Sequence, residues 1–234
     1  IVTKDEKNVL VLSHDEISGN MRVFLFAGHE TTTTALSYAL WHLASNPQVQ
    51  KRLQIEIDSI FCKYNDHGES KRPPSCGDLQ RLPLLDAVVK ETLRLNPAAP
   101  LTREALEDIT VRNREGEEFV LPKGCQIMMH QWVTHRLEFY WEKPNEFIPD
   151  RFLCKDNALS PELKLKRPYM PFSVGPRHCI GYPLALTELK SALAHIMHRY
   201  ELRPAPDAKE PYPLFNLSFT PDEVKLRCTK RVHN

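Results

Sequence analysis

The sequence has 234 residues, enough for one large domain or two small ones, and its 31 basic and 30 acidic side chains leave a net charge of +1. This balance provides no overall electric field that would favour nucleic acid or an anionic membrane. The composition, 41% apolar and 26% charged, argues against a disordered chain, and no apolar run approaches the ~18 residues of a membrane-spanning helix.

The first predicted element is a long helix that begins at Ser13 and ends before Pro47. Ser13 and Glu16 have the spacing of a capping box, and the residue before a proline is pushed out of the helical conformation. About 33 residues lie between these signals, which is about 50 Å of helix. A helix of this length would cross a whole domain.

The middle of this helix, residues 27–34 (AGHETTTT), contains a glycine and four threonines, which are poor helix formers. One interpretation is a packed contact that needs small residues, with threonine hydroxyls bonded to carbonyls one turn earlier. The other is a loosened turn beside a cofactor. There, Gly28 would admit a flat group, while Glu30 and Thr31 would relay protons.

Three further helices and two strand-rich regions follow in the sequence. Asn46 and Pro47 have the properties of an N-cap and a first helical residue, and apolar periodicity indicates the two later helices. Short apolar segments around turn signals predict strands. The expected ranges are a second helix from residue 47, a third over 83–95, strands within 109–133, an irregular stretch over 139–170, a last helix over 183–200 and strands within 211–228.

The third helix carries a charged pair, Glu91 and Arg94, one turn apart. On a helical wheel Glu91 lies in the middle of an apolar face that includes Leu84, Val88 and Leu95. A charge on a buried face needs a partner, because an unpaired one costs several kcal/mol. The pair is therefore either a solvated surface pair or a buried ion pair that fixes this helix against later parts of the chain.

Residues 172–181 (FSVGPRHCIG) place a cysteine between glycines, directly before the last predicted helix. Backbone N–H groups and the positive end of a helix dipole favour a thiolate there, and Arg177 adds positive charge. Cys179 is thus a candidate ligand or nucleophile, although a lone cysteine can also be a buried, inert thiol. No second motif supports a cysteine protease or a phosphatase. The six cysteines include no C-x-x-C pair, so we expect free thiols in a reducing compartment.

Four motifs resemble those of the haem-thiolate monooxygenases, the cytochrome P450 family, in their order and spacing: AGHETT (27–32), ETLR (91–94), FIPDRF (147–152) and FSVGPRHCIG (172–181). The last is the most specific. The resemblance implies a partial cytochrome P450 fold, mainly α with minor β, in which residues 1–234 form the C-terminal portion of a single domain. We expect an N-terminal half, with a membrane anchor and most of the substrate pocket, to lie outside this sequence.

The resemblance also implies roles for individual residues. Cys179 is expected to be the axial thiolate ligand of haem iron. Glu30 and Thr31 match an acid–alcohol pair that delivers protons to bound dioxygen. The other expected roles are shaping of the ligand loop by Phe172, Gly175 and Gly181, propionate binding by Arg103 and Arg177, contact with the haem face by Ala27 and Gly28, a buried structural triad of Glu91, Arg94 and Arg151, and substrate contact by Phe24, Ala98, Ala99, Pro100 and the 214–219 turn.

The implied activity is insertion of one oxygen atom from O₂ into an apolar or amphipathic substrate, with haem b as cofactor and electrons from NAD(P)H through a reductase. The expected partners are that reductase and a small hydrophobic substrate, with no nucleic acid. The expected location is the cytoplasmic face of the endoplasmic reticulum membrane, through an anchor outside this chain. One departure from the family's pattern is Asp150, where glutamate is common.

Two alternatives remain open. A haem-thiolate isomerase or dehydratase would need neither O₂ nor a reductase, but such members typically lack the acid–alcohol pair that Glu30 and Thr31 match. The other alternative is a non-catalytic fragment that binds haem or a partner. We expect the 234-residue chain by itself to bind haem weakly and to catalyse nothing.

Overall fold

The structure, a computed structural model, describes residues 12–61, 74–113, 115–153, 169–215 and 218–233. It is mainly α with four small antiparallel sheets, which confirms the predicted fold class. The elements in chain order are helices α1 (His14–Ser45), α2 (Pro47–Phe61), α3 (Cys76–Leu79) and α4 (Pro83–Leu95), strands β1 (Leu101–Glu104), β2 (Ile109–Arg112), β3 (Glu118–Leu121) and β4 (Gln126–Met129), helices α5 (Gln131–Thr134) and α6 (Tyr182–Arg199), and strands β5 (Tyr200–Pro204), β6 (Pro213–Phe215), β7 (Phe219–Pro221) and β8 (Leu226–Lys230).

Helix α1 begins and ends where the sequence signals predict. The Ser13 hydroxyl accepts from the Glu16 N–H at 3.2 Å, and the Glu16 carboxylate accepts from the Ser13 N–H at 2.7 Å, so both halves of the capping box are present. The helix ends at Ser45, just before Asn46. It continues through residues 27–34 without a break, so of the two interpretations of this segment the loosened turn is wrong.

The core lies where the second half of α1 packs with α2, α4 and α6. Burial of each large aliphatic side chain contributes roughly 1.5–3 kcal/mol. The buried side chain of Gln50 on α2 joins three elements, since its amide donates to the carbonyls of Leu43 and Leu202 at 2.9 Å and accepts from the Leu202 N–H at 2.7 Å. Four apolar side chains on α2 are buried: Leu53, Ile57, Ile60 and Phe61.

The four sheets pair β1 with β4, β2 with β3, β5 with β8 and β6 with β7. The predicted strand over the end of 109–133 stops at Met129, and the residues after it form α5 instead. The ladder ends at the pair of Leu101 and Met129, and the chain then turns, because the His130 carbonyl accepts from the Val133 and Thr134 N–H groups at 3.0 and 3.1 Å. In the described part of 139–170 the only regular element is a 3₁₀ turn, Pro149–Phe152.

The first half of α1 is largely uncovered in this chain. Five apolar side chains there have exposed fractions between 53% and 71%: Met21, Val23, Phe24, Leu25 and Phe26. The second half of the same helix is buried against the core, so α1 projects from the packed part of the chain. A search of the described helices finds none both long enough and apolar enough to span a bilayer.

Candidate functional site

The loop before α6 presents the thiol of Cys179 to the outside of the chain. The Cys179 N–H donates to the carbonyl of Phe172 at 3.0 Å, which closes the loop on itself. Two residues within it have left-handed backbone, Gly175 with φ 77° and Ser173 with φ 68°. A non-glycine residue rarely adopts this conformation, so the loop holds Ser173 in a strained form. Cys179 is exposed among the described residues, so the burial assumed in the alternative of an inert thiol is not observed.

Glycine keeps one side of the sulfur clear. A Cβ added at Gly181 would lie 3.7 Å from the Cys179 Sγ, in van der Waals contact with it. The next residue, Tyr182, begins α6, so the sulfur lies by the positive end of this 18-residue helix. An exposed sulfur in this position can bind a metal or another electrophile. Cys76, Cys125 and Cys228 are also free thiols, while Cys62 and Cys154 lie outside the described residues.

Two arginines accompany the Cys179 loop. Arg103 on β1 donates from Nη2 to the Ser173 hydroxyl at 3.2 Å, so β1 is attached to the loop. Arg177 is exposed at the end of the 3₁₀ turn Gly175–Arg177. Within the described residues, neither guanidinium forms an ion pair with a carboxylate. Two cations without anionic partners next to an open thiol fit a ligand that carries two carboxylates, as haem does.

The glycine and threonine segment of α1 forms the second part of the site. A Cβ added at Gly28 would meet no atom within 4 Å, so this face of the helix is open. The Thr31 hydroxyl donates to the Ala27 carbonyl at 2.7 Å, which is the one-turn-earlier bond expected if the threonines serve packing. Glu30, next to Thr31, points instead to another element, because its Oε1 accepts from the Ser218 hydroxyl at 2.5 Å.

Ser218, the partner of Glu30, is 3% exposed. This pairing was not predicted from the sequence. The two residues are 188 positions apart, so no local pattern connects them. The adjacent Phe219 N–H donates to the Ala98 carbonyl at 2.7 Å, which joins the 214–219 turn to residues 98–101. Two of the three segments expected to contact substrate are therefore in contact with each other. Residues 216 and 217 of this turn lie outside the described residues.

The expected triad residues are brought together. Arg94 binds Glu91 with two bonds, Nε to Oε2 at 2.7 Å and Nη2 to Oε1 at 2.8 Å, and Arg151 donates to the same Oε1 at 3.0 Å. Glu91 and Arg94 are both 0% exposed, so the alternative of a solvated surface pair is wrong. Asp150 lies outside this cluster and pairs with Arg52 on α2 at 2.6 Å.

Apart from the buried triad of Glu91, Arg94 and Arg151, the expected site residues thus form two groups. One group is the Cys179 loop with Arg103, and the other is the 27–31 segment of α1 with Ser218. Within the described part of the chain, no hydrogen bond joins these two groups. Phe24 is 58% exposed and is not brought against the other expected substrate residues.

Comparison with known proteins agrees with these observations. The cytochrome P450 family model matches residues 1–228. The chain is 34% identical to human cytochrome P450 3A5 over 213 residues, which are 91% of this chain and 39% of that protein. It is 38% identical to human cytochrome P450 4V2 over 200 residues, with coverage of 85% and 35%. It is also 34% identical to cytochrome P450 3A19 of Capra hircus aegagrus over 209 residues, with coverage of 89% and 88%. The chain therefore spans less than half the length of the two human relatives.

Proposed function

The chain belongs to the cytochrome P450 family, and we propose that the protein is a haem-dependent monooxygenase. It inserts one oxygen atom from O₂ into an apolar or amphipathic organic substrate, with electrons that come from NAD(P)H through a reductase. The observation that carries this proposal is the exposed Cys179 thiol in front of α6, because a cysteine thiolate is the haem ligand of this family. We also propose that the full-length protein is located at the endoplasmic reticulum membrane.

Haem b, when bound, supplies the activation of dioxygen. In this proposal Cys179 would provide the sulfur ligand of the haem iron, and Phe172, Gly175 and Gly181 would shape the loop that holds this sulfur. Arg103 and Arg177 bind the two propionates by charge-assisted hydrogen bonds, for which both guanidiniums are free of carboxylate partners in the described residues. The open face of α1 at Ala27 and Gly28 accommodates the flat ring, since no atom fills the space beside Gly28.

Glu30 and Thr31 supply protons in this proposal. The Ser218 hydroxyl donates to Glu30, so the carboxylate is held in one orientation. The Thr31 hydroxyl hydrogen is used in the bond to Ala27, which leaves the Thr31 oxygen as an acceptor. Thr31 can therefore accept a hydrogen bond from water or from a protonated group, and it must turn away from Ala27 before it can donate.

Because both Glu30 and Thr31 are present, the sequence favours a monooxygenase over a haem-thiolate isomerase or dehydratase. The two reactions differ in the source of oxygen, so labelled dioxygen distinguishes them. The protein, joined to the N-terminal part of a relative such as human cytochrome P450 3A5 and loaded with haem, is given a reductase, NADPH and a panel of apolar substrates under ¹⁸O₂. One ¹⁸O atom per product molecule is expected. Product without ¹⁸O and without O₂ consumption would support the isomerase instead.

A further inference from the structure

His135 directly follows α5, is 0% exposed and was not among the expected site residues. Its Nδ1 lies 3.1 Å from the carbonyl oxygen of Arg94, and its Nε2 lies 3.1 Å from the backbone nitrogen of Met170. A carbonyl only accepts and an amide N–H only donates, so Nδ1 carries the hydrogen and Nε2 is the acceptor. The ring is neutral, in agreement with burial and the nearby Arg94 charge, which lower its pKa to about 4.

The bond to Arg94 is reciprocated. Arg94 donates from Nη1 to the His135 carbonyl at 2.8 Å, while the His135 ring donates to the Arg94 carbonyl. Each side chain thus donates a hydrogen bond to the backbone carbonyl of the other residue. Because Arg94 is held by Glu91 in the buried triad, His135 has a fixed position relative to the end of α4.

Met170 lies at the start of the Cys179 loop. Its carbonyl accepts from the Ser173 N–H at 3.1 Å, and the Phe172 carbonyl accepts from the Cys179 N–H at 3.0 Å. These two backbone hydrogen bonds therefore link Met170, whose amide His135 binds, to Cys179 through the adjacent residues Phe172 and Ser173. Tyr169 adds a second attachment, because its ring packs 5.6 Å from that of His135 and its hydroxyl donates to the Lys90 carbonyl on α4 at 3.2 Å.

We propose that His135 is a positioning residue that fastens the start of the Cys179 loop to α4 and so sets the place of the thiolate. The link to haem rests on the proposed function, whereas the link between His135 and the loop stands on the contacts alone. Only a side chain with a donor on one edge and an acceptor on the other can join the Arg94 carbonyl to the Met170 amide. A neutral imidazole meets both demands at once.

Two substitutions separate the two edges of the ring. In His135→Asn the side-chain amide can replace Nδ1 as donor to Arg94, but it is too short to reach Met170. In His135→Gln the side-chain oxygen can replace Nε2 as acceptor from Met170. A matched control is His42→Gln, since His42 is a second histidine whose burial lowers its pKa to about 4 and it binds Asn96, also at the end of α4, at 2.7 Å.

The measurement is hydrogen exchange of single amides in the 234-residue chain without haem. Loss of the bond to Met170 should speed exchange of the Met170 and Cys179 amides about tenfold in His135→Asn. His135→Gln should restore most of the protection, and His42→Gln should leave these amides unchanged. Equal protection in His135→Asn and the native chain would overturn the proposal. If neither His135 variant folds, the native chain decides: a Met170 amide as protected as those of α4 supports the proposal, and a freely exchanging one overturns it.

A second readout separates this proposal from the proposed function. The protein with native His135, joined to the N-terminal part of a relative as in the labelled-dioxygen experiment, loaded with haem, reduced and treated with CO, should show the long-wavelength Soret band of thiolate ligation. Its absence would count against the proposed function, and hydrogen exchange alone would then judge the role of His135. If the native protein shows the band, His135→Asn should lose part of it and His135→Gln should keep it. A full band together with unchanged exchange in His135→Asn would contradict the positioning role.

Discussion

Replacement of Arg94 by leucine should unfold the protein rather than lower its activity alone. The guanidinium is fully buried, forms two bonds to Glu91 and lies 5.1 Å from the centre of the Trp141 ring. Leucine would leave Glu91 with Arg151 at 3.0 Å and the Ile148 N–H at 2.9 Å, so the carboxylate would keep only part of its compensation. Three carbonyls would also lose a donor: those of His135, Pro144 and Glu146.

Breaking a buried ion pair by removal of one partner costs about 3–5 kcal/mol. A buried carbonyl left without a donor adds about 1 kcal/mol or more where water cannot reach it. The free energy of unfolding of a whole domain is only about 5–15 kcal/mol. We therefore expect Arg94→Leu to be largely unfolded at 25 °C, and Glu91→Gln, which leaves two arginines without their carboxylate, to be destabilised in the same way.

Arg52→Leu is the matched control. Arg52 also binds a carboxylate with two bonds, to Asp150 at 2.6 and 2.9 Å, but the side chains are 48% and 47% exposed. An exposed pair contributes only about 0.2–1 kcal/mol, so the free energy of unfolding of this variant should be close to that of the native chain. Urea denaturation followed by far-UV circular dichroism measures all three variants. A free energy of unfolding for Arg94→Leu within 1 kcal/mol of that for Arg52→Leu would refute the argument from burial.

Three further predictions concern protons, acid stability and association. In the haem-loaded protein, joined to the N-terminal part of a relative and given a reductase, Thr31→Ala and Ser218→Ala should each lower product per O₂ consumed and raise peroxide. Unchanged coupling would reduce both residues to a packing role. The pKa of His42 and of His135 is lowered by burial from 6.5 to about 4, so the unfolded state binds more protons between these values. The free energy of unfolding should therefore have its full value above pH 6.5 and decrease by about 3 kcal/mol for each histidine as the pH drops to 4. Urea midpoints that do not change over this pH range would contradict this prediction. Size-exclusion chromatography of the 234-residue chain should show self-association through residues 21–26, reduced by Phe24→Glu and Phe26→Glu, whereas a monomeric native chain would refute this.

Local signals in the sequence predict the helices well. The bounds of α4 agree with the prediction, and the cap at Ser13 and the end of α1 follow from residues within one turn of each other. The wheel placed Glu91 on a buried face because helical periodicity alone orders side chains around α4. What such periodicity cannot show is which distant segment meets that face.

The parts that the sequence did not predict depend on distant partners. Strands β1 and β5 are short, and their pairing with β4 and β8 is visible only in the folded chain. The strand predicted after Met129 is replaced by the short helix α5, which begins with bonds to the His130 carbonyl. Ser218 and His135 carry no motif of their own. Both act through hydrogen bonds to residues far away in the chain, Ser218 to Glu30 and His135 to Arg94 and Met170.

The most direct test of the account is the CO-difference spectrum of the reduced, haem-loaded protein, joined to the N-terminal part of a relative, with each cysteine of residues 1–234 replaced in turn. Cys179→Ser should abolish the long-wavelength Soret band, because this thiol lies exposed before α6 in a glycine-flanked loop. Cys76→Ser, Cys125→Ser and Cys228→Ser should keep it, as should the corresponding changes at Cys62 and Cys154. A band that survives in Cys179→Ser and disappears with another cysteine would contradict the assignment of Cys179 as the haem ligand.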